Sequence, residues 1–369
     1  LVYLSEEQAG LLLRFRVHNT GKEASMRLRY LLPILLPLIL LLLVIALFPA
    51  EIGAQKRTQL QDPALDNLHH AAGVKTTPFG ALGNVRKVGE GKKTMVLIPG
   101  LGFGDDIWTE FMESHKTDYM MFAVTLPGFG DTPPLPMPPD GTRYAELTWT
   151  RSSISAIEKL LDQEHIERVT LVAQWALAPQ IALQLALDHP DRVEAVVLIG
   201  GAMKAYYENT PMMNWTAEQR DKYVEGMASR WFKTVTRRTW DDNNFMSYDY
   251  AVNPRRGLFL WREAQAPPLT VWIRYLLEFY SIDLTSTLKN LRVPTLVLHP
   301  GFDDPAVYVE QGHNYMRNLC IDSWRGMAEA NNRLEFVTIP HSRLFIMFDQ
   351  PEELNRALAS FLSRPPHAD

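Results

Sequence analysis

The chain is 369 residues long, with a formal net charge of -5, 46% hydrophobic residues, 21% charged residues and a single cysteine. That balance is ordinary for a folded protein with enough apolar side chain for a sizeable core, and it excludes extensive disorder, an internal disulfide and a cysteine-built metal cluster. No basic stripe interleaved with aromatics runs through it, so no nucleic-acid partner is expected.

Residues 1–29 carry no structural expectation. The sequence opens on Leu1, and Met26 is the expected translation start, which makes 1–25 dispensable to the argument. From Tyr30 to Ala50, "YLLPILLPLILLLLVIALFPA" is an unbroken apolar run, and about 20 apolar residues suffice for a helix to cross a bilayer. Arg27 and Arg29 precede it, with Arg14, Arg16 and Lys22 further upstream, so a single-pass anchor is expected with its N-terminus cytoplasmic and the folded domain outside. A cleaved signal ending near Ala54 is the alternative. Residues 51–75 read as a polar linker. The adjacent His69 and His70 fall within it and, without a further ligand pattern, do not make a metal site.

Beyond the linker, short apolar runs alternate with helical patterns, which predicts βαβ units and a mostly parallel sheet. The strands expected are "TMVLIPG" (Thr94 to Gly100), "MMFAVTLPG" (Met120 to Gly128), "VTLVA" (Val169 to Ala173), "AVVLIGG" (Ala195 to Gly201), "PTLVLHPG" (Pro294 to Gly301) and "LEFVTIP" (Leu334 to Pro340). Ile154, Ile157, Leu160 and Leu161 recur at helical spacing between the second and third of these runs. Residues 203–291 break the alternation. Five tryptophans (Trp215, Trp231, Trp240, Trp261 and Trp272) lie in that stretch, which is expected to form a helical cap over an apolar ligand pocket. The core is then 76–202 with 292–365. "GLGFG" (Gly100 to Gly104) lacks both dinucleotide spacing and a phosphate-loop lysine, so no nucleotide or other cofactor is implied.

Five phrases in order, "LIPGLGFGDDIW", "LPGFGDT", "HPDRVEAVVLIG", "VPTLVLHPGFDDP" and "DQPEELNRALASFL", make the chain resemble the α/β-hydrolase superfamily, in particular its capped, esterase-like and epoxide-hydrolase-like bacterial members. The resemblance implies an α/β fold with a mostly parallel central sheet flanked by helices and a helical cap after the sixth strand. It also implies a nucleophile on a strained strand-to-helix turn. Here "QWALAPQIALQLALDHPDRV" aligns with the family variant G-W-S-L-G-G-x-I-A-L, so Ala176 takes the serine's slot. A register set from the strand side would put Trp175 there, and neither side chain can attack a carbonyl.

By the same resemblance Asp304, in "HPGFDDPAVY", takes the acid's position, and Leu344, in "PHSRLFIMFDQP", takes the histidine's. His341, three residues earlier, is a poor substitute base. The backbone N–H groups of Leu101 and Leu177 would form the oxyanion hole, and Trp175 and Trp108 would line the pocket. Loss of triad members costs on the order of a million-fold in turnover. The function expected is therefore a membrane-anchored, catalytically impaired hydrolase-fold protein that binds a small hydrophobic ligand or a partner. The alternative is an active hydrolase of esters, lactones or related carbonyl compounds that uses other groups. Nothing in the sequence speaks to oligomeric state.

Overall fold

A computed structural model describes residues 76–364. The apolar run Tyr30 to Ala50, the segments 1–29 and 51–75, and His69 and His70 lie outside the described residues; within them, no helix is long and apolar enough to cross a membrane.

The sheet has eight strands: β1 (Thr76–Phe79), β2 (Leu82–Val88), β3 (Lys93–Ile98), β4 (Tyr119–Val124), β5 (Val169–Gln174), β6 (Val193–Ile199), β7 (Thr295–Pro300) and β8 (Leu334–Ile339). Their spatial order is β1-β2-β4-β3-β5-β6-β7-β8. The β1–β2 and β2–β4 pairs are antiparallel and the others parallel, so β2 alone runs against its neighbours. All six strands expected from the apolar runs are present. The β1–β2 hairpin was not expected, because "LGNVRKV" carries two charges and a glycine and lacks the long apolar run that marks the central strands. As a strand at the sheet's margin it needs fewer apolar residues.

Every residue of β5 and of β7 is buried, as strands covered on both faces require. Five helices flank the sheet. They are α1 (Thr109–His115), α2 (Thr148–Gln163), α3 (Leu177–Asp188) and, further along the chain, Tyr315–Ile321 and Pro351–Leu362. Helix α2 buries Ile154, Ile157, Leu160 and Leu161, the face its spacing predicted, whereas α3 is buried nearly throughout.

Between β6 and β7 the chain forms a helical insertion containing α4 (Ala217–Thr234), α5 (Arg237–Asn243), the short α6 (Ser247–Tyr250), α7 (Pro254–Gln265) and α8 (Leu269–Ser281). Its starts are well specified locally. Thr216 and Gln219 form a capping box on α4, and the Asn253 side chain accepts from the Arg255 and Arg256 N–H groups ahead of Pro254 at the start of α7. A two-residue bridge, Lys204 with Asp283, closes the base of the insertion.

None of the tryptophans of the insertion lines the cavity of about 420 Å³ between helix α7 and the loops after β3 and β4. Trp231 packs edge-on against Trp240, and Trp240 lies against Trp272, with ring centroids 5.8 and 6.3 Å apart. Their indole donors are spent locally: Trp240 Nε1 donates to Gln265 Oε1, Trp261 to the Asn244 carbonyl and Trp272 to the Ala264 carbonyl. They knit one insertion helix to the next, because a small helical layer has few other large apolar groups for its own core.

Candidate active site

Strand β5 ends at Gln174 and α3 begins at Leu177, which leaves Trp175 and Ala176 to turn the chain. Both have positive φ, 49° and 51°, and Ala176 has ψ -124°. Two consecutive side-chain-bearing residues in that region store roughly 1–3 kcal/mol each, a strain that persists only where the surroundings enforce it. Gln174 does much of the enforcing. Its Oε1 accepts from the Gly100 N–H at 3.2 Å, and its Nε2 donates to the Leu344 carbonyl at 3.3 Å. One buried amide therefore joins the loop after β3, the end of β5 and the segment after β8.

Gly100 is needed for that approach, since a Cβ there would lie 2.5 Å from Gln174 Oε1 and 3.1 Å from the Trp175 ring. Gly102, at φ 94°, meets the insertion in the same way: a Cβ would fall 2.6 Å from Trp272 and 2.9 Å from Ala264. The insertion thus sits directly on the loop. Leu177 is the first residue of α3, so its N–H has no acceptor inside the helix. Leu101 and Leu177 are both fully buried beside the turn.

Four aromatic rings crowd the turn. Trp175 packs edge-on to Tyr250, which contacts Phe103 and Phe345, and Phe103 in turn contacts Phe345 at 4.9 Å. Trp175 and Ala176 are each 6% exposed. A cavity of about 420 Å³ lies between the loops after β3 and β4 and helix α7, walled by Phe103, Ile107, Phe259, Leu260 and Phe348. Phe103 is its shared wall with the aromatic cluster. The expected lining residues are elsewhere: Trp108 is wholly buried against Phe111, and Trp175 belongs to the cluster over the turn. Both were expected to line the pocket; Trp108 packs against Phe111 and Trp175 against Tyr250 instead.

On the other side, Leu344 is fully buried, and its N–H donates to the Asp249 carbonyl of the insertion. Asp304, in the loop after β7, directs its carboxylate to a neighbour of Leu344. Oδ2 of Asp304 accepts from Arg343 Nη2 at 3.2 Å, and Oδ1 accepts from the Ala306 N–H at 3.0 Å. The Arg343 guanidinium is buried, lies over the Tyr308 ring, and also donates to the Tyr308 hydroxyl and to the Tyr248 carbonyl. Tyr308 completes the chain by donating to Asp249 Oδ1 at 3.2 Å. Burial pushes the Asp249 carboxyl up to about 7, although the Tyr308 hydrogen bond and the Arg343 charge pull the other way. Arg343, Tyr308 and Asp249 escaped the sequence reading. Arg343 was visible one residue before Leu344, but its partners come from two distant stretches of chain, Tyr248 in α6 and Asp304 with Tyr308 after β7.

His341 does not join this group. Its imidazole is 80% exposed and faces Asp303 at 3.3 Å, while the adjacent Ser342 hydroxyl is buried and donates to the Ile339 carbonyl. Among the described residues no serine hydroxyl, imidazole and carboxylate form a hydrogen-bonded relay. No group of three or more His, Cys, Asp or Glu converges there as metal ligands either. Cys320 is a buried free thiol donating to the Gly200 carbonyl, and burial raises its pKa, so it is packing and not a nucleophile.

Comparison with known proteins agrees with this architecture. A 2-hydroxy-6-oxo-6-(2'-aminophenyl)hexa-2,4-dienoic acid hydrolase of Metapseudomonas resinovorans is 26% identical over 73% of this chain and 84% of its own length. A pimeloyl-[acyl-carrier protein] methyl ester esterase of Aeromonas hydrophila is 29% identical over 60% of this chain and 80% of its own. Among solved structures, a serine hydrolase of Cycloclasticus zankles superposes with a TM-score of 0.56 at 15% identity, covering 78% of this chain and 97% of that one; at such identity the likeness is one of fold. The model of the alpha/beta hydrolase family matches residues 95–357, most of the chain, which therefore belongs to that family.

Proposed function

We propose that this chain is a catalytically impaired member of the α/β-hydrolase family that binds a small hydrophobic ligand beneath its helical insertion and does not run serine-type hydrolysis. One observation carries the reading. The turn that would present a nucleophile bears Ala176, and the nearby carboxylate of Asp304 is paired with Arg343 instead of an imidazole. An oxyanion pocket from the Leu101 and Leu177 N–H groups would outlast such side-chain changes, because backbone donors do not depend on them. Without a nucleophile or base it can polarise a carbonyl but cannot cleave it.

The volume of the 420 Å³ cavity suits a compact ligand, within the ~300–1,000 Å³ range of small-molecule sites, and its lining sets apolar side chains beside Asp105, Asp106, Asp131 and Glu263. The relatives named for a methyl ester and for a dienoic acid suggest a carbonyl-bearing one. We further propose that Tyr30 to Ala50 anchors the protein in a membrane. The competing reading, hydrolysis by this chain itself, draws its support from the hydrolase names of those relatives.

The deciding experiment compares the full chain, Asp304→Asn, and the double variant Ala176→Ser plus Leu344→His on short activated esters. Background rates from the unmodified chain are expected, with a gain of at least about a hundredfold in the double variant, well short of the million-fold that a complete triad commands. Turnover by the unmodified chain that disappears in Asp304→Asn would overturn the proposal in favour of hydrolysis.

A further inference from the structure

In the outer layer of the insertion, aromatic side chains and cations stand exposed together. Phe232, near the end of α4, is 41% exposed, and Phe245, just after α5, is 50% exposed. A lone exposed ring is ordinary, whereas apolar groups gathered on one surface mark a contact. Here the packing gathers them. Trp231 lies against Trp240, the Trp240 indole donates to Gln265, and Trp261 both donates to the Asn244 carbonyl and packs edge-on to Phe245 at 4.9 Å. Helices α4, α5 and α7 are thereby held as one layer.

The charge of this layer opposes that of the whole chain. Between Ser229 and Arg262 there are seven arginines and lysines and three carboxylates, in a chain whose formal net charge is -5. Asp249 is buried, and Asp241 and Asp242 lie beside Arg237 and Arg238 on α5. Arg256 reaches Glu110 of the core. Arg230, Lys233, Arg255 and Arg262 are exposed and have no ion-pair partner among the described residues. Arg255, Phe259 and Arg262 share one face of α7, and Phe259 walls the 420 Å³ cavity, so the cationic layer borders that cavity.

We infer that this layer of the insertion is a docking surface for an anionic lipid bilayer. Phe232 and Phe245 enter the boundary between headgroups and acyl chains, Trp261 lies at headgroup depth, and the four unpaired cations meet lipid phosphates. The choice of a bilayer as the partner rests on the proposed anchor at Tyr30 to Ala50. From Glu51 to Lys75 the sequence supplies 25 residues, which reach at most ~90 Å, against roughly 50 Å for the width of a domain of this size. Such a tether leaves every face of the domain free to meet the membrane. Surface chemistry then selects the insertion, and docking sets the 420 Å³ cavity beside the lipid.

The test reconstitutes the full chain in vesicles of phosphatidylcholine, alone or with about 30% phosphatidylglycerol, carrying a nitroxide at Phe232→Cys, Phe245→Cys or, for reference, Ser363→Cys. Ser363 is exposed and borders the same cavity as Lys93 and Val193, where β3 and β6 begin, at the end of the sheet away from the insertion. Cys320 is buried, so the unmodified chain serves as the labelling blank. Collisions with lipid-soluble oxygen, relative to those with a water-borne nickel chelate, should rise at least about fivefold at Phe232 and Phe245 on going from neutral to anionic vesicles, the factor that one cation near such a surface supplies. At Ser363 the ratio should stay level. Arg230→Glu with Lys233→Glu should cancel the gain at Phe232. Because the two vesicle types are compared on one protein, the result stands even if the charge variant folds poorly. Labels at Phe232 and Phe245 as wet as that at Ser363 in anionic vesicles would overturn the inference and leave the layer to an acidic partner protein. Equal ratios in neutral and anionic vesicles, or a gain that survives the charge reversal, would overturn it too. The anchor is tested separately: a chain that washes off the vesicles in alkaline carbonate refutes the anchor, while the same labels, with anionic vesicles added at low salt, still decide the docking.

Discussion

The two halves of the candidate site are held together in different ways. Around the turn after β5 the backbone takes a strained path at Trp175 and Ala176, held by Gln174 and by the close approach of Gly100, and the residue at the turn bears only a methyl group. In the loops after β7 and β8 the carboxylate of Asp304 pairs with a buried arginine, tied through Tyr308 to a carboxyl of the insertion. Backbone geometry is enforced by many neighbours at once, so a single substitution leaves it standing. A side-chain network depends on each member in turn, so removing one leaves its neighbours to find other partners.

If the second half is now structural, the largest effect should come from Arg343→Ala. It takes the cation from Asp304 and a donor from the Tyr308 hydroxyl, and removes a guanidinium that donates to the Tyr248 carbonyl. A loss of about 3 kcal/mol is expected in urea unfolding with an unchanged m-value, at the lower end for a broken buried pair because Asp304 is partly exposed. A loss below about 0.5 kcal/mol would place the pair among ordinary surface contacts.

Next in size is Gln174→Leu, which leaves the Gly100 N–H and the Leu344 carbonyl without their partner. About 2 kcal/mol should be lost in the same assay. If Gln174 holds the turn, that variant should also weaken whatever ligand the 420 Å³ cavity takes, through the loop after β3.

Asp249 sharpens the comparison through pH. A carboxyl raised to about 7 in the folded state holds its proton where the unfolded chain has released its own, so its contribution to stability is full below about pH 4 and declines as pH rises toward 7. Asp249→Asn keeps an oxygen to accept from Tyr308 and cannot ionise. Measured against the unmodified chain, its relative stability should therefore climb between pH 4.5 and pH 8, by on the order of 1–2 kcal/mol. A pH-independent difference would mean that Arg343 holds Asp249 ionised throughout.

The smallest effect concerns Ala176 itself. Glycine adopts φ near 51° without strain, so Ala176→Gly should stabilise by a few tenths up to about 1 kcal/mol, the relief being partly offset by glycine's greater freedom when unfolded. A destabilisation would show that the Ala176 methyl contributes more through packing under Tyr250 and Trp175 than its backbone costs.

Much of this was legible before any coordinates. Apolar runs, five of the six closed by glycine or proline, located six strands, because burial on both faces leaves a composition signal that depends on local residues alone. The stock phrases around Leu97, Leu126 and Val169 pointed to the family and to Ala176 at the turn, since a sharp strand-to-helix reversal demands a local pattern. The β1–β2 hairpin was missed for want of an apolar run. The tryptophans of the insertion, as a group, implied an apolar pocket, and three of them pack on one another, because composition reports that large rings will be buried but not against what. Only the tertiary structure brought Arg343 to Asp304, Asp249 to Tyr308 and Gln174 to both Gly100 and Leu344. These pairings span 39, 59, 74 and 170 residues of chain, distances over which no sequence periodicity carries information.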